Sequence, residues 1–181
     1  MKNSLLILLL ISSSFAKAQW LTDPKDDVDL QFNVFFDPFG KAPSGDSGFQ
    51  KGVSGTVIMN WGFIEGAVSN FSALKDGYND VVVTMGINLN PHYYEPIRMY
   101  AGGSLGMELR GGARYEIMGL KMGIDWNIPT TNLWVGVYGS VHQRESQQDG
   151  RYGDSSAPTK NLIFTSSLAT ENGGFTIGAR F

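Results

Sequence analysis

The sequence predicts an all-β fold, an eight-stranded antiparallel up-and-down transmembrane β-barrel. Three observations predict it. Several long segments alternate apolar and polar residues with period two, as strands with one apolar face do. Mean hydropathy is only −0.12, although aromatics make up 12% of the chain and glycine occurs 23 times. A helical membrane protein would be far more apolar, whereas a barrel wall alternates outward apolar residues with lumen-facing ones. The final stretch, GFTIGARF, puts Phe175, Ile177, Ala179 and Phe181 on one strand face and Gly174, Thr176, Gly178 and Arg180 on the other.

The N-terminal end carries a different signal. Lys2, the apolar run Leu5 to Ile11 and the Ala16-Lys17-Ala18 triplet read as the three parts of a secretory signal peptide, residues 1–18, with cleavage expected before Gln19. Seven apolar residues fall well short of the roughly 20 needed for a spanning helix. Removing residues 1–18 deletes Lys2 and Lys17 and no acid, so the formal charge goes from 14 − 17 = −3 to 12 − 17 = −5. That acidity argues against nucleic acid as a partner, since nucleic acid needs a basic footprint. With no cysteine, the exported chain has neither a disulfide nor a lipoprotein anchor, and packing and hydrogen bonding must hold it.

Residues 19–27 are polar and form a periplasmic lead-in; residues 28–181 form the barrel. Val28, Leu30, Phe32, Val34 and Phe36 alternate with Asp29, Gln31 and Asn33 as a first strand, with Phe35 breaking the polar face. Asp37 to Gly52, with two prolines and four glycines, reads as a long loop. Val57, Met59, Trp61 and Phe63 read as the apolar face of a second strand. Continuing it would push Glu65 into lipid, so Glu65-Gly66 is expected to turn into a third strand over 67–74. Lys75 to Asp80 turns by composition. Val81, Val83, Met85, Ile87 and Leu89 then mark a fourth strand, and 90–96 turns again, with Tyr93 and Tyr94 available for an interfacial girdle.

The fifth strand is the clearest. Ile97, Met99, Ala101, Gly103, Leu105, Met107 and Leu109 oppose Arg98, Tyr100, Gly102, Ser104, Gly106, Glu108 and Arg110. Gly111-Gly112 reverses the chain into a sixth strand, where Met118, Leu120, Met122, Ile124, Trp126 and Ile128 oppose Gly119, Lys121, Gly123, Asp125 and Asn127. Ten steps of about 3.3 Å at a tilt of roughly 40° reach about 25 Å, the height of an outer-membrane apolar band. Pro129 to Asn132 turns. The seventh strand sends Leu133, Val135, Val137 and Val141 outward and Trp134, Tyr138, Ser140 and His142 inward; Arg144 to Lys160 is a second long loop. Leu162 to Ala169 would make a ninth strand, whereas such barrels have an even number. Merging it with the terminal strand through a bulge at Gly173-Gly174 restores eight and puts both long loops, 37–52 and 144–160, on one side.

With its leader, its alternating strands and its terminal Phe181, the chain resembles the small OmpA/OmpX-type barrels of Gram-negative outer membranes. The resemblance implies outer-membrane localisation and lipid as surroundings. It also implies the barrel-assembly machinery as a partner that reads Phe175, Ile177, Ala179 and Phe181, and Trp61, Tyr93, Tyr94 and Trp126 as interfacial aromatics. Eight strands enclose an interior just wide enough for side chains. Arg98, Glu108, Arg110, Lys121, Asp125 and Arg180 point there, and the expected arrangement is a charge-paired plug, with a small porin-like pore as the alternative. A secreted soluble ligand-binding barrel is the second alternative; it would turn the apolar face inward.

No cofactor is expected. Ser140, His142 and Glu145 bring to mind the Ser/His/Glu site of the lipid A deacylases, also eight-stranded barrels. Strand parity puts Ser140 and His142 in the lumen, whereas that family's site addresses the membrane, so no enzyme is expected. His92 has no second metal ligand at useful spacing. Asp46, Asp149 and Asp154 form no calcium-loop pattern, and no glycine run precedes a helix as a phosphate-cradling loop does. The expected role is structural or interactive. Partners are expected at the loops, with Phe39 and Phe49 in the first and Tyr152 in the second.

Overall fold

A computed structural model describes residues 28–41, 47–59, 61–73, 77–90, 96–144 and 169–181. The leader 1–18, its cleavage point and the lead-in 19–27 lie outside the described residues. So do His92, Tyr93, Tyr94, Glu145, Asp46, Asp149, Asp154 and Tyr152.

Eight strands follow one another: β1 Asp29–Asp37, β2 Gly48–Ile58, β3 Gly62–Ala73, β4 Gly77–Asn88, β5 Ile97–Arg110, β6 Ala113–Asn127, β7 Leu133–Arg144 and β8 Ala169–Arg180. Each pairs antiparallel with the next, and β8 returns to β1, so the sheet closes as an up-and-down barrel. Closure leaves no unpaired strand edge, which is what makes a lone sheet of this length viable. The closing seam is the shortest ladder, from Gln31↔Arg180 to Phe36↔Phe175, against Ile97↔Trp126 to Arg110↔Ala113 between β5 and β6. Two backbone bonds between Leu30 and Phe181, at 2.9 and 2.8 Å, extend the seam by one step.

The β5–β6 reversal is the two-residue turn that its glycines imply. Gly111 and Gly112 both have positive φ, +56° and +82°, which suits the right-handed twist of the flanking strands. At the opposite end, Thr131 ties the β6–β7 turn: its hydroxyl donates to the Ile128 carbonyl (2.8 Å) and accepts from the Leu133 amide (3.1 Å).

Several expected boundaries move. The chain reverses between Met59 and Gly62 rather than at Glu65-Gly66, and these two residues exchange backbone bonds. Val57 and Phe63 therefore lie on opposite faces: Val57 is outward, whereas Phe63 is fully buried inside. The carboxylate of Glu65 does avoid the outer face, but by pointing into the lumen from the middle of β3. The first long loop contracts from 37–52 to 38–47, because Asp37 belongs to β1 and Phe49, Lys51 and Gly52 to β2. Phe49 packs edge-on against Phe36, ring centres 4.4 Å apart. The turn over 75–80 gives up Gly77 to Asp80 to β4, and Tyr78 stacks on Phe71 at 4.7 Å.

The Gly173-Gly174 bulge is absent. Pairing of β7 with β8 runs without offset from Gln143↔Ala169 to Leu133↔Ala179. Gly174 answers a different need: a Cβ there would run into the β1 backbone at Phe36 and Asp37, so glycine is what lets the two sides of the seam approach. Residues 162–168, proposed above as part of that strand, lie outside the described residues.

The core of this barrel is its lumen, and that lumen is largely polar. Gln31, Asn33, Thr56, Glu65, Asp80, Thr84, Arg98, Glu108 and Asp125 are all buried there, with rings of Phe63, Phe71, Tyr100 and Tyr138 between them. The outer wall carries the exposed aliphatics and aromatics, including Phe32, Val34, Val83, Leu120, Met122, Phe175 and Ile177.

Candidate functional site: a charge-paired lumen

Inward parity on β5, β6 and β8 brings the expected charges together. Near the end that holds both β1's start and β8's finish, Arg98 Nη1 donates to Asp125 Oδ2 at 3.1 Å and Arg98 Nε to Asn88 Oδ1 at 2.9 Å. The guanidinium sits over the rings of Tyr100 and Phe63, 4.5 and 4.9 Å from their centres. Gln31 bridges onward: its amide donates to Asp125 (3.5 Å), and its carbonyl accepts from Arg180 Nη2 (2.8 Å) and Nε (3.2 Å). Arg180 lies 3.4 Å over the Trp134 ring and 3.9 Å from Asp29. These groups form one belt across β5, β6, β1 and β8, and it crosses the closing seam.

At mid-height Lys121 of β6 forms an ion pair with Glu65 of β3. These strands are not neighbours, so the pair spans the lumen itself. Thr56 Oγ1 donates to the other Glu65 oxygen at 3.4 Å. The rings of Tyr138 and Phe35 flank the Lys121 ammonium at 5.1 and 6.0 Å. Taking such a pair out of water is expensive unless both members find partners, and here both do.

Towards the other end, Asp80 and Glu108 stand opposite one another across β4 and β5, both almost fully buried. Gln50 donates to Asp80 Oδ2 (3.3 Å) and to Ser69 (2.8 Å), and Arg110 lies 3.9 Å from Glu108. All six expected lumen residues, Arg98, Glu108, Arg110, Lys121, Asp125 and Arg180, are thus inward, and each has a partner.

The partners were the harder part to foresee. Glu65 and Asp80 fall where the sequence predicts turns, and Gln31, uncharged, gives no signal beyond its place on the polar face of β1. Asp37 was also missed: its carboxylate accepts from the amides of Phe39 (2.7 Å) and Gly173 (2.9 Å), tying the start of the first loop to β8.

Phe175, Ile177, Ala179 and Phe181 all point outward on or just past β8, and Phe181 is 70% exposed. Trp61 and Trp126 are outward near the same end. Around the wall near the other end runs a set of outward polar residues: Lys51, Asn70, Asn79, Glu116 and Glu171. Between these two girdles the outward face is apolar.

No family model and no curated protein sequence matches this chain. A solved structure does: Neisserial surface protein A, an eight-stranded outer-membrane barrel, superimposes with a TM-score of 0.59 over 85% of this chain and 96% of its own. At 9% identity, the likeness is one of fold.

Ser140 and His142 are inward on β7 and buried in the lumen, the place that parity assigns them. Among the described residues no group of three or more His, Asp or Glu side chains is arranged to hold a metal ion.

Proposed function

We propose that this chain is an integral outer-membrane β-barrel with a closed lumen, exported by its N-terminal leader and acting through the loops at the end opposite its termini. The observation that carries this reading is the inverted distribution of polarity. A soluble barrel of lipocalin type puts aliphatics inside and charge in water; here buried ion pairs fill the interior, and a band of exposed Val, Ile, Leu, Met and Phe wraps the exterior. Such a band, bounded by tryptophan at one edge and polar residues at the other, fits a bilayer. A monomer in water rarely exposes so large a continuous apolar surface. The fold shared with an outer-membrane surface protein supports the same reading.

Fractionation tests it. The expected result is recovery with outer membranes, extraction only by detergent, and a gel mobility that shifts on boiling. Recovery as a detergent-free periplasmic protein would overturn it.

A closed lumen makes a second expectation. The Lys121–Glu65 pair crosses the bore, and Arg98 with its two rings fills it on one side. Planar bilayers containing the protein are therefore expected to show no steady conductance. Reproducible unitary steps that vanish on Arg98 or Lys121 substitution would establish a pore instead.

The role assigned to the first loop and to the loop expected over 144–160 is recognition of a partner outside the cell or in the same membrane. A rigid scaffold that presents long segments at one end favours it. Deleting each loop is expected to spare the gel shift and to abolish surface cross-links. Cross-links that survive both deletions would move recognition to the barrel wall.

A further inference from the structure

On the outer wall, Gly55 of β2 and Gly66 of β3 stand directly opposite each other in register. Both fall on the outward parity of their strands. The Phe32 ring lies over Gly55, 3.6 Å from where a Cβ would be, whereas a Cβ at Gly66 would meet nothing within 4 Å. The glycine pair lies within a shallow apolar depression of about 660 Å³ that runs from Leu133 and Ile177 past Phe32 to Val53, Val68, Val81 and Val83.

The outward column of β2 continues from this depression through Val53 to Lys51. Lys51 is exposed, and among the described residues no carboxylate forms an ion pair with it. It lies opposite Asn70, which in turn lies opposite Asn79. Ser72 Oγ donates to Asn70 Oδ1 (3.1 Å) and Asn70 Nδ2 to Asn79 Oδ1 (2.9 Å), so the two amides are joined on the strands next to Lys51. Lys51 stands four residues from Gly55, about 13 Å along the strand. One leaflet of a ~25 Å apolar band is about as deep.

We propose that this depression holds one acyl chain of a phosphorylated lipid of the outer leaflet, with the lipid's phosphate on Lys51 and the Asn70–Asn79 amides. The proposal rests on the membrane reading above. Charge complementarity selects the occupant. A second pair of outward glycines, Gly139 and Gly173, stands opposite in register on β7 and β8, and nothing closer than 3.5 Å would meet a Cβ at either. The residue at its head on β8 is the exposed Glu171, opposite Val141. An anion there repels phosphate, so the same kind of dent is not expected to select for it.

The test uses the full chain refolded into nanodiscs of dioleoyl phosphatidylcholine with a minor fraction of dioleoyl phosphatidylglycerol, followed by native mass spectrometry of retained lipid. Wild type is expected to enrich phosphatidylglycerol about fivefold, as one well-placed cation does near a membrane surface. Lys51→Gln is expected to remove the enrichment and Gly66→Phe to reduce total retention, while Gly139→Phe changes neither. Each protein is first checked for the boiling-dependent gel shift. If wild type does not insert at all, the membrane reading fails and takes this proposal with it. If wild type inserts but binds both lipids equally, or Lys51→Gln enriches as wild type does, the lipid site alone is overturned. A homodimer trapped efficiently by a disulfide in Gly66→Cys would also overturn it, since a second copy would then occupy the depression.

Discussion

Replacing Lys121 with methionine is expected to destabilise the barrel by about 3–5 kcal/mol, the penalty for breaking a buried ion pair from one side. Methionine keeps the length of the lysine stem and its packing between Tyr138 and Phe35, so the loss isolates the charge. Glu65 is left 5% exposed, its described hydrogen bond being the long one from Thr56. The double variant Lys121→Met/Glu65→Leu is expected to recover most of the loss, because removing both charges also removes the desolvation cost. Urea unfolding in phospholipid bilayers reads both effects as midpoint shifts at constant slope. A single-variant cost below about 1 kcal/mol, the value of an exposed pair, would mean that water reaches this pair and the bore is open.

Met122→Arg is expected to cost about 2–4 kcal/mol, and Ile128→Arg, on the same outward face of the chain, only about 0–1. Met122 is 62% exposed, midway between Met118 and Trp126 on β6 and so near the centre of the apolar band. Ile128 lies just past the strand at the tryptophan end, where a long guanidinium reaches water. This gradient belongs to a bilayer alone. On a protein surrounded by water, both substitutions would stay within about 0.5 kcal/mol. Equal small effects in the same urea experiment would therefore refute the membrane reading, whatever the two variants do separately.

Much of this architecture was legible in the residues. β5 and the part of β6 from Met118 onward could be read almost to the residue because every outward position there is apolar or small and the inward ones carry the charges. The first turn-side residues of β6 put Arg114 and Glu116 outward and gave no such contrast. The join of the two strands needed only Gly111-Gly112. The reading failed where that contrast inverts. Ile58 and Phe63 are apolar yet inward, one on each side of the reversal between Met59 and Gly62, so Val57 to Phe63 looked like a single face. Gly66 has no side chain to declare its side, and it invited a turn four residues after the first residue of the real strand, Gly62. Asp80 was lost to a turn assignment for a similar reason: it follows Lys75 to Asn79, a run whose composition favours loops, although Tyr78 and Asp80 pack inside. Within the lumen, the cations were visible from parity alone. Their partners depended on which strands meet across the bore, and periodicity along one strand carries no information about that.

The short β1–β8 seam sets how this ring breathes. Every other ladder is longer, so separating β8 from β1 sacrifices the fewest backbone bonds. Two side-chain latches sit across that joint: Arg180 on Gln31 near one end and Asp37 on the Gly173 amide near the other. Amide hydrogens of Ile177 and Ala179, which face β1 across that seam, will consequently exchange with solvent sooner than those at the middle of β5 and β6, and loss of either latch will quicken that exchange at its own end first. The molecule thus behaves as a hoop with a single clasp, rigid around most of its circumference and able to part along one line.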